Sequence, residues 1–307
     1  MGIADVRTDG QVASGQPHPS ERTEAKRLHV LVSYAYWSDP KHQEILDSIP
    51  QEWNVMLDSG AFTNFTMGKP DPDLDAYAEF CDRNAGRFWK VINLDRIGDP
   101  EASERNHQYL LDRGIPAIPV FTRGESLDRL LHMGTHHSLT CIGGISQQVN
   151  AKAEQDYLTG VLRYVHRHRL QVHLLGVAGL SLFRNRPYSG DSSTWLSCTR
   201  YGSAELFYRG KFTRLSRTTH SRPSIQVSNV LRSYGLTWEQ VGDRAEWSRA
   251  GWETEDRRSA VFLATVRSYM RLARAAARIN SRQVFAATPS DISVLRTAWE
   301  LERDAWR

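Results

Sequence analysis

The sequence predicts an α/β protein of the TIM-like (β/α)8 barrel class with a helical, basic C-terminal extension. From residue 28 onward, short apolar runs alternate with polar amphipathic segments, a pattern that indicates a parallel sheet with right-handed crossovers. Neither a G-x-G-x-x-G motif nor a P-loop follows the first apolar run, so the commonest signatures of an open nucleotide-binding sheet are missing. Six or seven such units precede residue 200, which favours a closed barrel.

The apolar runs have the length and the Val, Ile, Leu and aromatic content of buried strands. The predicted strands are Leu28–Tyr36, Asn54–Phe62, Phe88–Asp95, Ala117–Arg123, Leu139–Ile145 and Val172–Ala178. The segments between them predict helices over Pro72–Asn84, Pro100–Arg113, Ser126–Met133 and Ala151–His168. Pro72 and Pro100 each follow an aspartate, a pairing that is favourable at a helix start.

Beyond Trp195 the alternation weakens. Glu205–Leu215 is expected to form a last strand or a hairpin, and Leu236–Glu246, Arg257–Ile279 and Pro289–Trp306 are expected to be helical. The domain prediction is a flexible N-terminal arm over residues 1–24, a catalytic barrel over 25–218 and a helical extension packed on the barrel over 219–307.

Composition and cysteine usage narrow the class of protein. Of 307 residues, 40% are hydrophobic and 24% are charged, which is ordinary for a globular protein. The sequence contains no apolar run of 18 residues, so it predicts no membrane span. The N-terminus is polar and lacks the apolar core of a signal peptide. The cysteines Cys81, Cys141 and Cys198 are widely spaced, so no cofactor, zinc site or redox pair is expected. The predicted location is the cytoplasm.

Positive charge is concentrated in the C-terminal third. Residues 198–307 contain 19 basic and 11 acidic residues, whereas the net charge of the whole chain is only +4. An acidic polymer held by this basic region is one interpretation, and a solvated arginine-rich surface is the other. Arg267, Arg271, Arg274 and Arg278 recur at helical spacing, so they are predicted to bind phosphates or to form a solvated helix face.

Three aspartates lie at or near the ends of predicted strands or strand-like segments. They are Asp58, Asp95 and Asp191. An aspartate in this position often caps the following helix. Three of them converging at one barrel mouth would repel one another, however, so they are expected to have a catalytic role.

Two other predicted strands end in glycine, at Gly143-Gly144 and at Gly176. Glycine lets a flat ligand approach the backbone amides and carbonyls, and it also suits a tight turn. A flat heterocycle bound by backbone groups and carboxylates would account for the glycines and the aspartates together.

Four segments resemble, in the same order, the tRNA-guanine transglycosylase superfamily, a barrel family that exchanges guanine for a 7-deazaguanine. These segments are Leu57-Asp58-Ser59-Gly60-Ala61-Phe62, Ile142-Gly143-Gly144-Ile145, His173-Leu174-Leu175-Gly176-Val177 and Tyr188-Ser189-Gly190-Asp191-Ser192-Ser193-Thr194-Trp195. The chain is most similar to the phage branch of DNA 7-deazaguanine transglycosylases. The resemblance covers residues 28 to about 200.

The resemblance implies a division of labour among the aspartates. Asp191 matches the nucleophile that attacks the sugar C1′ and forms a covalent glycosyl-enzyme, and Asp58 matches the carboxylate that handles protons for the two bases. Asp95 matches the carboxylate that contacts the base edge. The alternative assignment exchanges the roles of Asp58 and Asp191. Covalent double displacement between paired carboxyls is chemically reasonable for this reaction.

The resemblance also implies a base pocket. Phe62 and Leu175 match the side chains that sandwich the heterocycle, and the amides around Gly144 and Ile145 match those that contact its carbonyl. The remaining residues predicted to line the pocket come from the same segments: Ser59, Gly60, Gly143 and Gly176.

Two departures from the tRNA enzymes favour DNA as the polymer. The three-cysteine, one-histidine zinc site of those enzymes has no counterpart here, and Ala61 follows Asp58-Ser59-Gly60 where a second glycine is usual. The predicted polymer partner is therefore DNA, with tRNA as the alternative. The second predicted partner is a free 7-deazaguanine base such as preQ0. No membrane partner is expected, and whether a helper protein takes part is left open. A catalytically silent nucleic-acid-binding barrel and a glycoside hydrolase are the other hypotheses.

The histidines do not predict a metal site. His166 and His168 lie two apart on a predicted helix and so do not share a face. His173, inside a strand, is expected to be a hydrogen-bonded core histidine.

Overall fold

The computed structural model describes residues 27–145, 151–218, 223–249 and 259–306, so the predicted N-terminal arm lies outside the described residues. Within these ranges the main sheet has nine strands, and every pairing between its neighbours is parallel. Its strands are β1 (His29–Ser33), β2 (Asn54–Asp58), β3 (Lys90–Ile92), β4 (Ala117–Ile118), β5 (Val120–Thr122), β6 (Thr140–Gly143), β7 (Val172–Leu174), β8 (Ser189–Ser192) and β11 (Arg282–Ala287). They are arranged in the order β4-β3-β2-β1-β11-β8-β7-β6-β5.

The two edges of this sheet are consecutive in the chain. β4 pairs with β3 and β5 pairs with β6, and only Pro119 separates β4 from β5. Proline has no amide hydrogen to donate to a ladder, which accounts for the interruption at this point. The sheet is therefore nearly closed, and the prediction of an α/β fold with a parallel, barrel-like sheet is confirmed at that level.

Helices follow most strands of the sheet. The α-helices are α1 (Tyr34–Trp37), α2 (Gln43–Ser48), α3 (Ala61–Thr66), α4 (Leu74–Arg83), α5 (Pro100–Asp112), α6 (Leu127–His136), α7 (Ala151–Arg167), α8 (Ser181–Asn185), α9 (Ser197–Tyr201), α10 (Ile225–Tyr234), α11 (Trp238–Gly242), α12 (Ala260–Ala277) and α13 (Ile292–Glu302). Short 3-10 helices cover Pro40–His42, Thr194–Leu196, Arg244–Trp247, Pro289–Asp291 and Arg303–Trp306. Pro100 begins α5 as predicted, with the Asp99 side chain accepting from the Ala102 amide. The helix predicted from Pro72 begins at Leu74, because Asp73 acts as its N-cap and accepts from the Ala76 amide.

One strand of the sheet was not predicted. Residues 219–307 were expected to be helical, yet β11 lies among them and pairs with both β1 and β8. Its first two residues, Arg282 and Gln283, are buried polar side chains, so the segment lacks the long apolar run on which strand prediction depends. The C-terminal segment therefore completes the sheet between β1 and β8.

The open prediction for Glu205–Leu215 resolves as a hairpin. β9 (Ser203–Tyr208) and β10 (Lys211–Ser216) form a separate antiparallel pair joined by Arg209-Gly210. Both turn residues have positive φ, 49° and 82°, as a two-residue hairpin turn requires.

Three hydrophobic clusters support these elements. The inner one lies within the barrel-like sheet and consists of side chains from its strands together with Leu139, which precedes β6: Leu31, Met56, Ile92, Ile118, Val120, Leu139, Cys141 and Val284. A second packs α6 and α7 against β5, β6 and β7. The largest joins β1 and β2 to the C-terminal helices, with Val30 and Val266 as members. No helix within the described ranges has the length and apolar character needed to cross a membrane.

Candidate active site

The three aspartates lie at the same end of the sheet. Asp58 is the last residue of β2, Asp191 is the third of four residues in β8, and Asp95 follows β3 by three positions. The carboxyl ends of parallel strands face one way, so all three belong to the end where barrel enzymes build their sites.

Cys141 lies close enough to all three carboxylates to be affected by the charge of each. This thiol is fully buried in β6, inside the barrel-like sheet. Burial raises its pKa well above the usual value, and the negative charges of Asp191, Asp58 and Asp95 raise it further. One thiol thus senses all three carboxylates, although β1 and β11 separate the strands of Asp58 and Asp191.

Asp191 is held on one oxygen. Its Oδ1 accepts from the Gly176 amide at 2.9 Å and lies 3.2 Å from Nε2 of His173. His173 is completely buried, and its Nδ1 lies 2.8 Å from the hydroxyl of Ser189. A neutral imidazole satisfies both contacts when Nε2 donates to Asp191 and Nδ1 accepts from Ser189. Among the described residues both contacts go to Oδ1, so Oδ2 is the oxygen left for chemistry.

Asp58 is tuned towards its protonated form. Burial raises the pKa of this carboxyl, and the nearby charge of Asp191 adds to the increase. The Gly60 amide donates to Oδ2 of Asp58 at 3.0 Å. A carboxyl with a raised pKa beside a second carboxylate is the arrangement that separates an acid role from a nucleophile role.

Gly60 fixes the turn between Asp58 and α3. Its φ is +79°, and a Cβ at this position would lie 2.7 Å from the Cβ of Ala35 and 2.8 Å from its amide nitrogen. Glycine alone meets both demands. The neighbouring Ser59 is buried, and its hydroxyl accepts from the Ala61 amide at 3.4 Å.

Asp95 titrates near neutrality. Burial and the charge of Asp58 raise its pKa to about 7. The segment that carries it is anchored by Asn106, whose Nδ2 donates to the Leu94 carbonyl at 2.8 Å. At neutral pH this carboxyl can therefore either donate or accept a hydrogen bond to a ligand.

The other predicted pocket residues also follow the strand ends. A Cβ on Gly143 would lie 3.4 Å from Cδ1 of the half-buried Leu175, which packs against the inner cluster. Gly144 has a φ of +72°, and the described segment ends one residue later at Ile145. Phe62, in the first turn of α3, is 65% exposed. The predicted sandwich partners are thus an anchored Leu175 and an accessible Phe62, while the Gly176 amide is already engaged by Asp191.

Two of the four arginines that recur at helical spacing have a structural role. Arg267 and Arg271 donate from Nε to the buried Glu302 at 2.9 and 3.0 Å, which joins α12 to α13. Arg274 is half-buried and Arg278 is exposed. Phosphate binding by this face stays a prediction.

His173 is the site residue whose role was not recognised in the sequence. It is the buried, hydrogen-bonded histidine that was expected, but its partner is Asp191. The signal lies in the register, since His173 of β7 faces Ser189 of β8, two residues before Asp191. No such pairing can be deduced from one sequence.

Comparison of the chain with protein-family models, with curated proteins and with solved structures gives no match. Within the described ranges, no group of three or more His, Cys, Asp or Glu side chains is arranged to hold a metal ion.

Proposed function

We propose that the chain is a DNA-guanine transglycosylase, a pentosyltransferase that exchanges guanine in DNA for a free 7-deazaguanine base such as preQ0. The observation that carries the proposal is the pairing of Asp191, anchored through Oδ1, with Asp58, a carboxyl of raised pKa at the same mouth. We also propose that the protein is cytoplasmic. With β4 and β5 counted as one strand, the main sheet corresponds to an eight-stranded barrel.

In the first half-reaction Oδ2 of Asp191 attacks C1′ of the target nucleotide. The C1′–O bond forms as the C1′–N9 bond breaks, and the electron pair of that bond leaves with guanine, which takes a proton from Asp58. In the second half-reaction Asp58 accepts the N9 proton of the incoming deazapurine, whose nitrogen attacks C1′ and releases Asp191. This is the double displacement of retaining glycosidases, in which the paired carboxyls are about 5 Å apart.

The base pocket follows from the residues beside these carboxyls. Ionised Asp95 would accept from the N–H groups of a guanine-like edge, and Leu175 would pack against one face of the ring. Phe62 is accessible to cover the other face. The amides of Gly144 and Ile145 would bind the ring carbonyl.

The test is incorporation of labelled preQ0. Purified chain is incubated with the base and either duplex DNA or tRNA, and the nucleosides are analysed by mass spectrometry. We expect the deazaguanine nucleoside in DNA, with no product from the Asp191→Asn variant. Incorporation into tRNA alone would assign the chain to the tRNA reaction. Incorporation into neither polymer, with salt-dependent DNA binding retained, would contradict an enzymatic role.

A further inference from the structure

Most of the exposed large apolar side chains follow the carboxyl ends of main-sheet strands in the chain. Within the described ranges the exposed large apolar side chains are Tyr36, Phe62, Phe65, Met67, Leu127, Leu180, Tyr201, Ile225 and Leu301. All but Ile225 and Leu301 lie within nine residues after the carboxyl end of a main-sheet strand. Apolar exposure at one end of a fold marks a surface that a ligand or partner covers.

The densest part of this surface is α3 with the turn that follows it. Phe62, Phe65 and Met67 are 65%, 58% and 51% exposed, and all follow Asp58 within nine residues. Phe62 and Phe65 are three residues apart on the helix and therefore neighbours on its surface. The turn at Gly60, whose amide donates to Asp58, places this helix directly after the Asp58 carboxyl.

The charges beside these side chains favour a nucleic acid as the occupant. Lys69 is exposed just beyond Met67, and Arg200 is exposed next to Tyr201 with its guanidinium on the Ser193 hydroxyl. Three aspartates follow Lys69, and each has a partner within the chain: Asp71 pairs with Arg96, Asp73 caps α4 and Asp75 accepts from Tyr109. Aromatic side chains interleaved with cations suit stacked bases joined by phosphates.

We propose that Phe65 and Met67 enter the duplex beside the target nucleotide and fill the space that its base leaves on flipping out. The inference rests on the proposed function and adds a duplex-opening element to it. Chemistry at C1′ with exchange of the base requires the nucleotide to leave its stack, and an apolar wedge is a common means of holding the opened step. Phe62, one turn nearer Asp58, is left to stack on the extruded base.

The experiment compares a paired and an unpaired target. The Phe65→Ala/Met67→Ala double variant is assayed for labelled preQ0 incorporation on a duplex and on the same strand with an abasic site opposite the target guanine. We expect a loss of at least about tenfold on the duplex and less than about threefold on the unpaired target, where no opening is needed. Ile225→Ala, which changes a side chain 72% exposed on α10, is the matched control and should leave both rates unchanged.

Three results would overturn the proposal that Phe65 and Met67 enter the duplex. Equal losses on the two DNAs would indicate a general contact, and unchanged rates would indicate no contact. A change in self-association of the double variant, measured by sedimentation, would indicate that a second copy covers this surface.

A binding assay separates this inference from the proposed function. Duplex DNA with 2-aminopurine next to the target guanine is titrated with wild type and with the double variant. Increased emission with wild type alone supports the wedge even if no base is incorporated. No increase with wild type would refute the wedge even if incorporation succeeds.

Discussion

Within the part of the chain that the structure describes, the Asp191 carboxylate receives two hydrogen bonds, both on Oδ1, from groups of the β7 strand and the turn after it. The Gly176 amide belongs to the backbone and is retained in every substitution except proline, whereas the His173 donor is a side chain that can be replaced. Since His173 is itself fixed by Ser189, the three side chains form a chain of contacts that orients one carboxylate. Orientation of this kind affects the reaction step more than substrate binding.

We expect His173→Phe to reduce kcat on the order of 100-fold with little change in the KM for the free base, because the carboxylate loses a donor and its orientation. His173→Gln retains a side-chain donor and should recover most of the loss. Steady-state incorporation kinetics check both variants, and circular dichroism confirms that they fold. Equal activity of the phenylalanine variant and wild type would show that His173 does not position Asp191.

Asp95 should make the stability of the protein depend on pH. Its pKa is about 7 in the folded chain and near 3.8 in the unfolded chain, so the unfolded chain ionises first as the pH rises. The contribution of Asp95 to the free energy of unfolding is therefore fully present below about pH 4 and is lost as the pH rises to about 7. In urea unfolding at pH 5 and pH 8, Asp95→Asn should gain stability relative to wild type at the higher pH.

The control for this measurement is Asp156→Asn, on the exposed side of α7, whose difference from wild type should be the same at both values of pH. If Asp95→Asn behaves like this control, Asp95 is not buried beside Asp58 as described.

Gly190 lies where β8 packs closely against the segment that follows β7. A Cβ at this position would lie 2.2 Å from the Val177 carbonyl oxygen, a backbone atom that cannot move without shifting the turn. That turn also carries Gly176, whose amide binds Asp191. The residue next to the proposed nucleophile therefore has to be glycine for steric reasons.

Gly190→Ala should lower the free energy of unfolding by about 1–3 kcal/mol, because the added methyl group overpacks the contact between β8 and this turn. The matched control is Gly160→Ala on α7, where a Cβ has nothing within 4 Å. Alanine should stabilise that helix by about 0.5–1 kcal/mol. Urea unfolding measures both changes, and a neutral Gly190→Ala would contradict the described packing.

The sequence was informative about most elements and about the ends of strands. Apolar runs predicted β1 to β7, although several predictions extended too far, as with Leu28–Tyr36, which includes three of the four residues of α1. Because an aspartate at the end of a parallel strand must face the same mouth, the convergence of the three aspartates was also predictable. β11 was not, since Arg282 and Gln283 conceal it, and neither was the contact of His173, which depends on register.

The C-terminal residues belong to the largest hydrophobic cluster of the molecule. Val30 of β1 and Val266 of α12 belong to one cluster, and β11 separates β1 from β8 within the sheet. The ion cluster of Glu302 with Arg267 and Arg271 ties α13 to this assembly. The basic C-terminal segment is thus required for the sheet on which Asp58 and Asp191 are placed.

Glu302→Gln should lower the free energy of unfolding by about 2 kcal/mol, since two partly buried guanidinium groups lose their charged acceptor. The exposed Glu300 on the same helix provides the control, and Glu300→Gln should change stability by less than about 0.5 kcal/mol. Thermal unfolding with both variants at one pH makes the comparison. Equal effects would show that the ion cluster does not hold α13.

In the proposed reaction, Asp191 forms the covalent bond to the sugar at a mouth shared with Asp58 and Asp95. The most direct test of this step is to incubate the protein with guanine-containing DNA in the absence of free base, quench with acid, and map the adduct by peptide mass spectrometry. We predict a sugar-linked peptide that spans residues 189–195 with the mass increase on Asp191, and no adduct in Asp191→Asn. An adduct on Asp58 would exchange the two roles, and incorporation of preQ0 without an adduct on either aspartate would contradict the account.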